Sequence, residues 1–238
     1  QGNQYVVSCS IGISLYPQDG QHPDELIRKA DMAMYQAKKL GKNTFHYFDE
    51  SLERIAIHRV NVENDLRHAI KKNEFTLHFQ PKVTLLTERI ESVEALVRWQ
   101  KTPDNLIYPD QFIPIAEDIG LITDISYWVI NEACKTLKKW ENNELKQLSI
   151  SINLSAIDFT NEDFIDKALE IIDRHKINPE LIEVELTETV LFENIHQINQ
   201  AISKLKERNI KISIDDFGTG YSSFSYLQDL DIDYLKID

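Results

Sequence analysis

Asn153, Glu185 and Asp215 recur 32 and 30 residues apart, each near the C-terminal end of a short stretch in which apolar and polar residues alternate. Ile150, Ile152 and Leu154 alternate with Ser149, Ser151 and Asn153. Ile182, Val184 and Leu186 alternate with Glu183, Glu185 and Thr187, and Ile210, Ile212 and Ile214 with Lys211, Ser213 and Asp215. The three recurring residues offer oxygen donors only. Asp216 follows Asp215 directly, and Glu94 adds a carboxylate from the middle of another strand-like stretch. Acids gathered in one place repel one another unless a cation neutralises them. Oxygen ligands without cysteine or clustered histidine favour Mg²⁺ or Mn²⁺ over zinc. Two such ions, roughly 3.5–4 Å apart, can clamp the attacking and leaving oxygens of a phosphate ester. Lys236, on the last strand, could hold the phosphate or orient the water. Taken singly, each residue has a plainer account: Asp215-Asp216-Phe217-Gly218 as a turn after a strand, Glu185 and Glu188 as a solvated strand end, Glu94 as a surface charge.

The elements that must position these residues alternate in kind. Strands are predicted at 76–83, 91–99, 149–155, 182–188, 210–216 and 234–238, and helices at 123–140, 163–175 and 194–208, with shorter helical pieces near 109–118 and 222–229. Phe164, Ile165, Ala168, Leu169 and Ile172 share one helical face. Ile195, Ile198, Ala201, Ile202 and Leu205 share another, with Asn209 as its stop. Such alternation argues for a parallel sheet covered by helices. Parallel strands covered on both faces usually read as unbroken apolar runs, whereas here every second residue is polar. An antiparallel sheet with one wet face would explain that, but the intervening helices count against it. In a βα barrel the apolar phase faces the helices and the polar phase faces inward. Asn153, Glu185 and Asp215 then stand on the rim where such barrels build their sites.

The first 48 residues differ in character. They carry five Lys/Arg against four Asp/Glu, in a chain of formal net charge −13. That balance makes the protein a poor coat for nucleic acid polymers. Residues 5–16 read as a strand. Pro23, with Asp24 and Glu25, opens a helix that Gly41 closes, a short strand follows at 44–48, and a polar helix-compatible stretch runs over 49–72. Cys9 and Cys134 both read as small buried hydrophobes, not as a disulfide or metal pair. His78 and His175 read as structural, and Trp99, Trp128 and Trp140 as core. No apolar run is long enough to span a membrane. The chain starts at Gln1 without a Met, as a piece of something longer would.

The strings FQPKV (79–83), EALVRW (94–99), INLS (152–155), ELTE (185–188), DDFGTGYSS (215–223) and DYLKID (233–238) together resemble the EAL domain family in order and spacing. The resemblance covers about 59–238 and implies a modified TIM barrel that cuts cyclic di-GMP to the linear dinucleotide pGpG with Mg²⁺ or Mn²⁺. It assigns Glu94, Asn153, Glu185 and Asp215 to the metals and Asp216 to the second metal position. Lys236 is assigned to the water or phosphate, and Gln80 and Arg98 to the substrate. Glu188 becomes the acid that anchors the loop carrying Gly218 and Gly220. SIGISLYP (10–17) and ADMAMYQAKKLGKN (30–43) resemble the C-terminal end of GGDEF diguanylate cyclase domains. Lys38 and Lys42 fall where that family places two basic contacts to the nucleotide, although cations also suit a helix end.

The expected architecture is therefore an α/β, TIM-like barrel of the EAL type over 59–238, truncated before its last strands. A linker helix at 49–58 and the C-terminal part of a GGDEF domain at 1–48 precede it. The resemblance implies two further strands with another Glu and a Gln, so residues 1–238 alone are expected to be inactive as a phosphodiesterase, and no cyclase activity is expected of them. The expected partners are cyclic di-GMP and a second copy of the chain, paired through the EAL domain. A cytoplasmic location is expected, whatever anchor a longer parent carries. The rival reading is a non-hydrolytic cyclic di-GMP receptor or regulatory module.

Overall fold

A computed structural model describes residues 8–188, 190, 195–218 and 230–237. The chain divides into two compact units, residues 1–65 and 66–238.

In the first unit, β1 (Ile11–Ile13) pairs in parallel with β2 (Phe45–Tyr47), and α1 (Pro23–Lys39) connects them. Pro23 opens the helix, Asp24 and Glu25 lie in its first turn, and Lys38 and Lys39 in its last, each charge complementing the helix dipole. Gly41, at φ +107°, follows the helix as the sequence predicts. Gly12 permits close packing: a Cβ there would stand 1.8 Å from the Ala30 carbonyl oxygen. Ala33, Phe48 and Leu52 form a small core. Two expectations need correction. The first strand, expected over 5–16, is confined among the described residues to 11–13, and Cys9 lies before it, exposed, where no helix covers it. Helix α2 (Glu50–Ala69) occupies the polar stretch and runs across the division between the units.

The second unit is built on one sheet. Its strands are β3 (Phe75–Thr84), β4 (Arg89–Thr102), β5 (Asn105–Ile107), β6 (Ser149–Asn153), β7 (Ile182–Thr187), β8 (Lys211–Asp215) and β9 (Tyr234–Leu235). They lie in the order β3-β4-β6-β7-β8-β9, with β5 also on β4. From β4 to β9 the pairing is parallel, as expected. β3 and β5, however, run antiparallel to β4. Only residues 85–88 separate β3 from β4, too few for the crossover that a parallel pair requires.

The helices are α3 (Pro109–Asp118), α4 (Ile122–Trp140), α5 (Ala156–Thr160), α6 (Phe164–His175) and α7 (Ile195–Lys206). The expected faces are buried: Phe164, Ile165, Ala168 and Ile172 on α6, and Ile198, Ala201, Ile202 and Leu205 on α7. The apolar phase of the sheet, Ile150, Ile152, Ile182, Val184, Leu186, Ile212 and Ile214, is buried as well. Each such side chain removed from water contributes roughly 1.5–3 kcal/mol. Trp99 is fully buried against Phe75 and Phe112, and its indole N–H donates to Glu74 at 3.0 Å. Cys134 is buried, and burial pushes its thiol pKa up to about 12. Asn209 ends the α7 region in the left-handed conformation, φ +58°. Helix α5, five residues long, is shorter than any predicted helix. It follows Ser155, whose side chain accepts from its first turn while Asp158 reaches back to the Ser155 N–H, so the strand expected to reach 155 stops at 153. The helix expected at 222–229 lies outside the described residues.

Candidate active site

The second phase of the sheet is polar and buried at its centre, where Ser151, Glu183, Glu185 and Ser213 are all enclosed. Parallel pairing sets their levels. Glu94 lies beside Ser151, Asn153 beside Glu185, and Thr187 beside Asp215, while antiparallel pairing puts Gln80 beside Glu94. This brings Glu94, Glu185 and Asp215 together, with carboxylate oxygens all within 4.8 Å of one another.

Lys236 stands among them. Its Nζ donates to Glu185 Oε2 at 2.6 Å, Asp215 Oδ2 at 2.8 Å and Glu94 Oε2 at 3.2 Å. Burial works against the charge of Lys236. Hydrogen bonds to Asp215 and Glu185, with the charges of Glu185 and Glu94, outweigh it and hold the ammonium pKa well above the ordinary lysine value. Three carboxylates against one ammonium leave the group net negative. Asn153 Nδ2 donates to Glu94 Oε1 at 2.8 Å, which leaves its carbonyl oxygen as a further donor. This all-oxygen, net-negative set fits a hard divalent cation, and nothing in it suits a soft one.

The other predicted residues surround the cluster. Asp216 is exposed, outside the three-carboxylate group, in the left-handed conformation at φ +54°, and its N–H donates to Asp215 Oδ1 at 3.0 Å. Glu188 is buried and accepts the Gly218 N–H at 3.0 Å, tying the end of β7 to the segment after β8. Gly218 has φ +97°, a region a side chain would disfavour. Gly220 lies outside the described residues. Phe217 N–H donates to the Lys236 carbonyl and Lys236 N–H to that of Ile214, so the same segment also fixes Lys236. Gln80 is exposed on β3. Arg98 donates to the Val97 carbonyl at 2.9 Å and lies over the Tyr108 ring, 5.5 Å from its centroid.

Sequence patterning gave no role to two further participants. Lys82 Nζ donates to Glu183 and Glu185 at 3.1 Å each. Lys82 is in phase with Gln80, so its inward direction was visible, but its acidic partners were not. A second array stands behind Asn153. Asp158 accepts from the Thr123 and Ser126 hydroxyls at 2.9 and 2.7 Å and from the Ser155 N–H, while the Ser155 hydroxyl donates to Glu117 at 2.7 Å.

The family model described as "EAL domain" matches residues 63–238, and that for "Diguanylate cyclase, GGDEF domain" matches residues 1–44. The chain belongs to the EAL domain family. Its fold over that span is accordingly the TIM-like α/β barrel of EAL domains. Among solved structures, one titled "PaMucR Phosphodiesterase, c-di-GMP complex" superimposes with a TM-score of 0.71 at 38% identity, over 75% of this chain and 72% of that one. Signaling protein YkoW of Bacillus subtilis is 41% identical over 100% of the chain and 30% of its own length. The bifunctional diguanylate cyclase/cyclic di-GMP phosphodiesterase MucR of Pseudomonas aeruginosa is 40% identical over 98% of the chain and 34% of its own length. The chain thus spans about a third of these relatives. No helix among the described residues is long and apolar enough to cross a membrane.

Proposed function

We propose that this EAL domain carries the site that hydrolyses cyclic di-GMP to pGpG, using Mg²⁺ or Mn²⁺. The observation that carries the proposal is the convergence of Glu94, Glu185 and Asp215 within 4.8 Å, from three motif strings far apart in sequence. The names of MucR and of cyclic di-GMP phosphodiesterase NbdA, 35% identical over the whole chain, support the substrate.

Glu94, Glu185 and Asp215 would hold the cation, with the Asn153 carbonyl oxygen beside them and Asp216 serving a second metal position. A divalent ion held there would supply Lewis acidity to the phosphate and lower the pKa of water at the site, so that hydroxide is available as the nucleophile. In the reaction, water adds oxygen to phosphorus and one bond from phosphorus to a ribose 3′ oxygen breaks, that oxygen leaving as a hydroxyl. Lys236 orients the water or the phosphate. Gln80 and Arg98 hold the dinucleotide, Arg98 through the paired N–H bonds that a guanidinium offers a phosphate. Glu188 fixes the loop after β8. The same proposal includes the division into a GGDEF part at 1–48, a linker helix at 49–58 and the EAL domain from 59, a cytoplasmic location, and pairing of two copies through the EAL domain, which light scattering would test.

The deciding experiment is steady-state hydrolysis of cyclic di-GMP by a longer protein that contains the chain, with residues 1–238 alone as the comparison expected to be inactive. After chelation, Mg²⁺ or Mn²⁺ restores turnover. Glu94→Ala abolishes turnover, and Arg98→Ala mainly raises KM, by about tenfold. Full activity in excess chelator, or near-normal turnover in Glu94→Ala, would sink the assignment.

A further inference from the structure

Beneath the three-carboxylate group lies a second charged layer, two buried acids and a lysine whose side chain is 30% exposed. β3 runs antiparallel to its neighbour, so Lys82 sits beside Ser92, which in turn pairs with Ser149, one repeat below the level of Glu94 and Ser151. From that depth its long stem brings Nζ within 3.1 Å of Glu183 Oε1 and 3.1 Å of Glu185 Oε1. Glu183 and Glu185 are two residues apart on one face of β7, with side chains 7% and 0% exposed. Two carboxylates enclosed together repel strongly in a medium that screens little. Lys82 is the cation between them.

The pairing is also selective by atom. Lys82 engages Oε1 of Glu185, while Oε2 accepts from Lys236, whose Nζ also reaches Asp215 and Glu94. The neighbouring hydroxyl takes no part in it. Ser213, beside Glu185 in register, has a buried Oγ with no hydrogen-bond partner among the described residues. A part-buried ion pair is weak evidence of stabilisation, because desolvation of the acids offsets much of its attraction. Its geometric effect is what remains to be explained.

We propose that Lys82 is a positioning residue for the cation site: it neutralises Glu183 and pins one oxygen of Glu185, so that the other is presented to the divalent ion. This rests on the metal reading above. Residues that orient a ligand from behind typically alter metal affinity 10–100-fold when removed.

The test is Mn²⁺ affinity by calorimetry on the full chain, with folding checked by circular dichroism. Lys82→Met should weaken binding about tenfold. Lys82→Arg, which keeps the charge, should bind within a few-fold of wild type. Lys82→Met/Glu183→Gln, which removes the repulsion along with its cation, should regain most of the loss; a merely structural lysine would not be rescued by a second buried change. In hydrolysis by a longer protein that contains the chain, Lys82→Met should lower kcat while leaving KM for cyclic di-GMP nearly unchanged. Wild-type affinity in Lys82→Met, or a double variant as weak as the single one, overturns the proposal. Should Lys82→Met not fold, the arginine and double variants decide: near-wild-type affinity in both supports it, and a tenfold loss in either overturns it. A wild-type chain that takes up no Mn²⁺ removes the metal reading and this inference together, whereas loss of Mn²⁺ in Glu94→Ala but not in Lys82→Met removes this inference alone.

Discussion

Among the described residues two carboxylates, Glu185 and Asp158, are 0% exposed, and they are treated in opposite ways. Glu185 is surrounded by charge: Lys82 on one oxygen, Lys236 on the other, and two more acids within reach. Asp158 is surrounded by neutral donors, the hydroxyls of Thr123 and Ser126 and the Ser155 N–H. Burial raises the pKa of Asp158, and those hydrogen bonds only partly oppose it. Burial alone therefore does not mark a functional acid. A carboxylate kept among cations and other acids is set up to exchange its partners, whereas one closed off by hydroxyls and a backbone amide is a fastening between α4 and α5.

The sharpest way to break this comparison is to remove the two acids in turn. Glu185→Gln leaves Lys82 with Glu183 and Lys236 with Glu94 and Asp215, so no ammonium is stranded. It should cost on the order of 10³-fold in metal-supported turnover and leave the melting temperature within a few degrees. An unfolded Glu185→Gln protein would make both acids structural. Asp158→Ala strands a buried hydroxyl, a half-buried one and an N–H, and should cost about 3 kcal/mol of stability by chemical denaturation. For a unit of this size that is roughly 6–12 °C in melting temperature. Mn²⁺ affinity of the folded Asp158→Ala protein should change by less than about threefold, and a larger change would tie the fastening to the site.

Ion identity gives a smaller contrast. Ca²⁺ should bind the carboxylates yet support hydrolysis poorly beside Mg²⁺, because its longer, looser coordination misplaces the reacting groups. Equal rates with the two ions would argue against a demanding geometry. The smallest effect is in pH. An acid whose pKa is raised on folding binds its proton more tightly in the folded state. Its contribution to stability is therefore greatest at low pH and declines as pH rises from the unfolded value through the raised one. The stability of wild type relative to Asp158→Asn should fall in that direction in denaturant titrations, and a rise would reverse the assigned environment.

Much of the catalytic end was legible in sequence because two periods coincide there. Alternation with period two gives the inward face, and spacings of 32 and 30 residues match one strand-helix unit, so Asn153, Glu185 and Asp215 could be placed before any coordinates. Direction and depth were not legible. Alternation in 76–83 is the same whichever way the strand points, and only the four-residue turn shows that β3 is reversed. For the same reason Lys82 could be read as inward but not as lying below the acids. Helix α5 is too short for helical periodicity to register, although Ser155 followed three residues later by Asp158 is a start signal in its own right. Cys9 was misjudged because an apolar neighbourhood in sequence is no guarantee of a covering layer.

The reversal of β3 has one more effect. Along β6, β7 and β8 later residues lie nearer the rim, while along β3 later residues lie deeper, so Gln80 and Lys82 stand at fixed heights above the turn at 85–88. That turn, with the register shift at Lys82/Val83, works as the levelling screw under a post. A slip of one residue would turn Phe79 and Pro81 inward and both polar groups out. A slip of two would keep the strand's inside and outside unchanged and yet raise Lys82 to the height of Glu94, delivering a second ammonium to the carboxylates. Such a protein would leave Glu183 without its cation and refuse the ion, disabled by a post of the wrong height with every motif residue still in place.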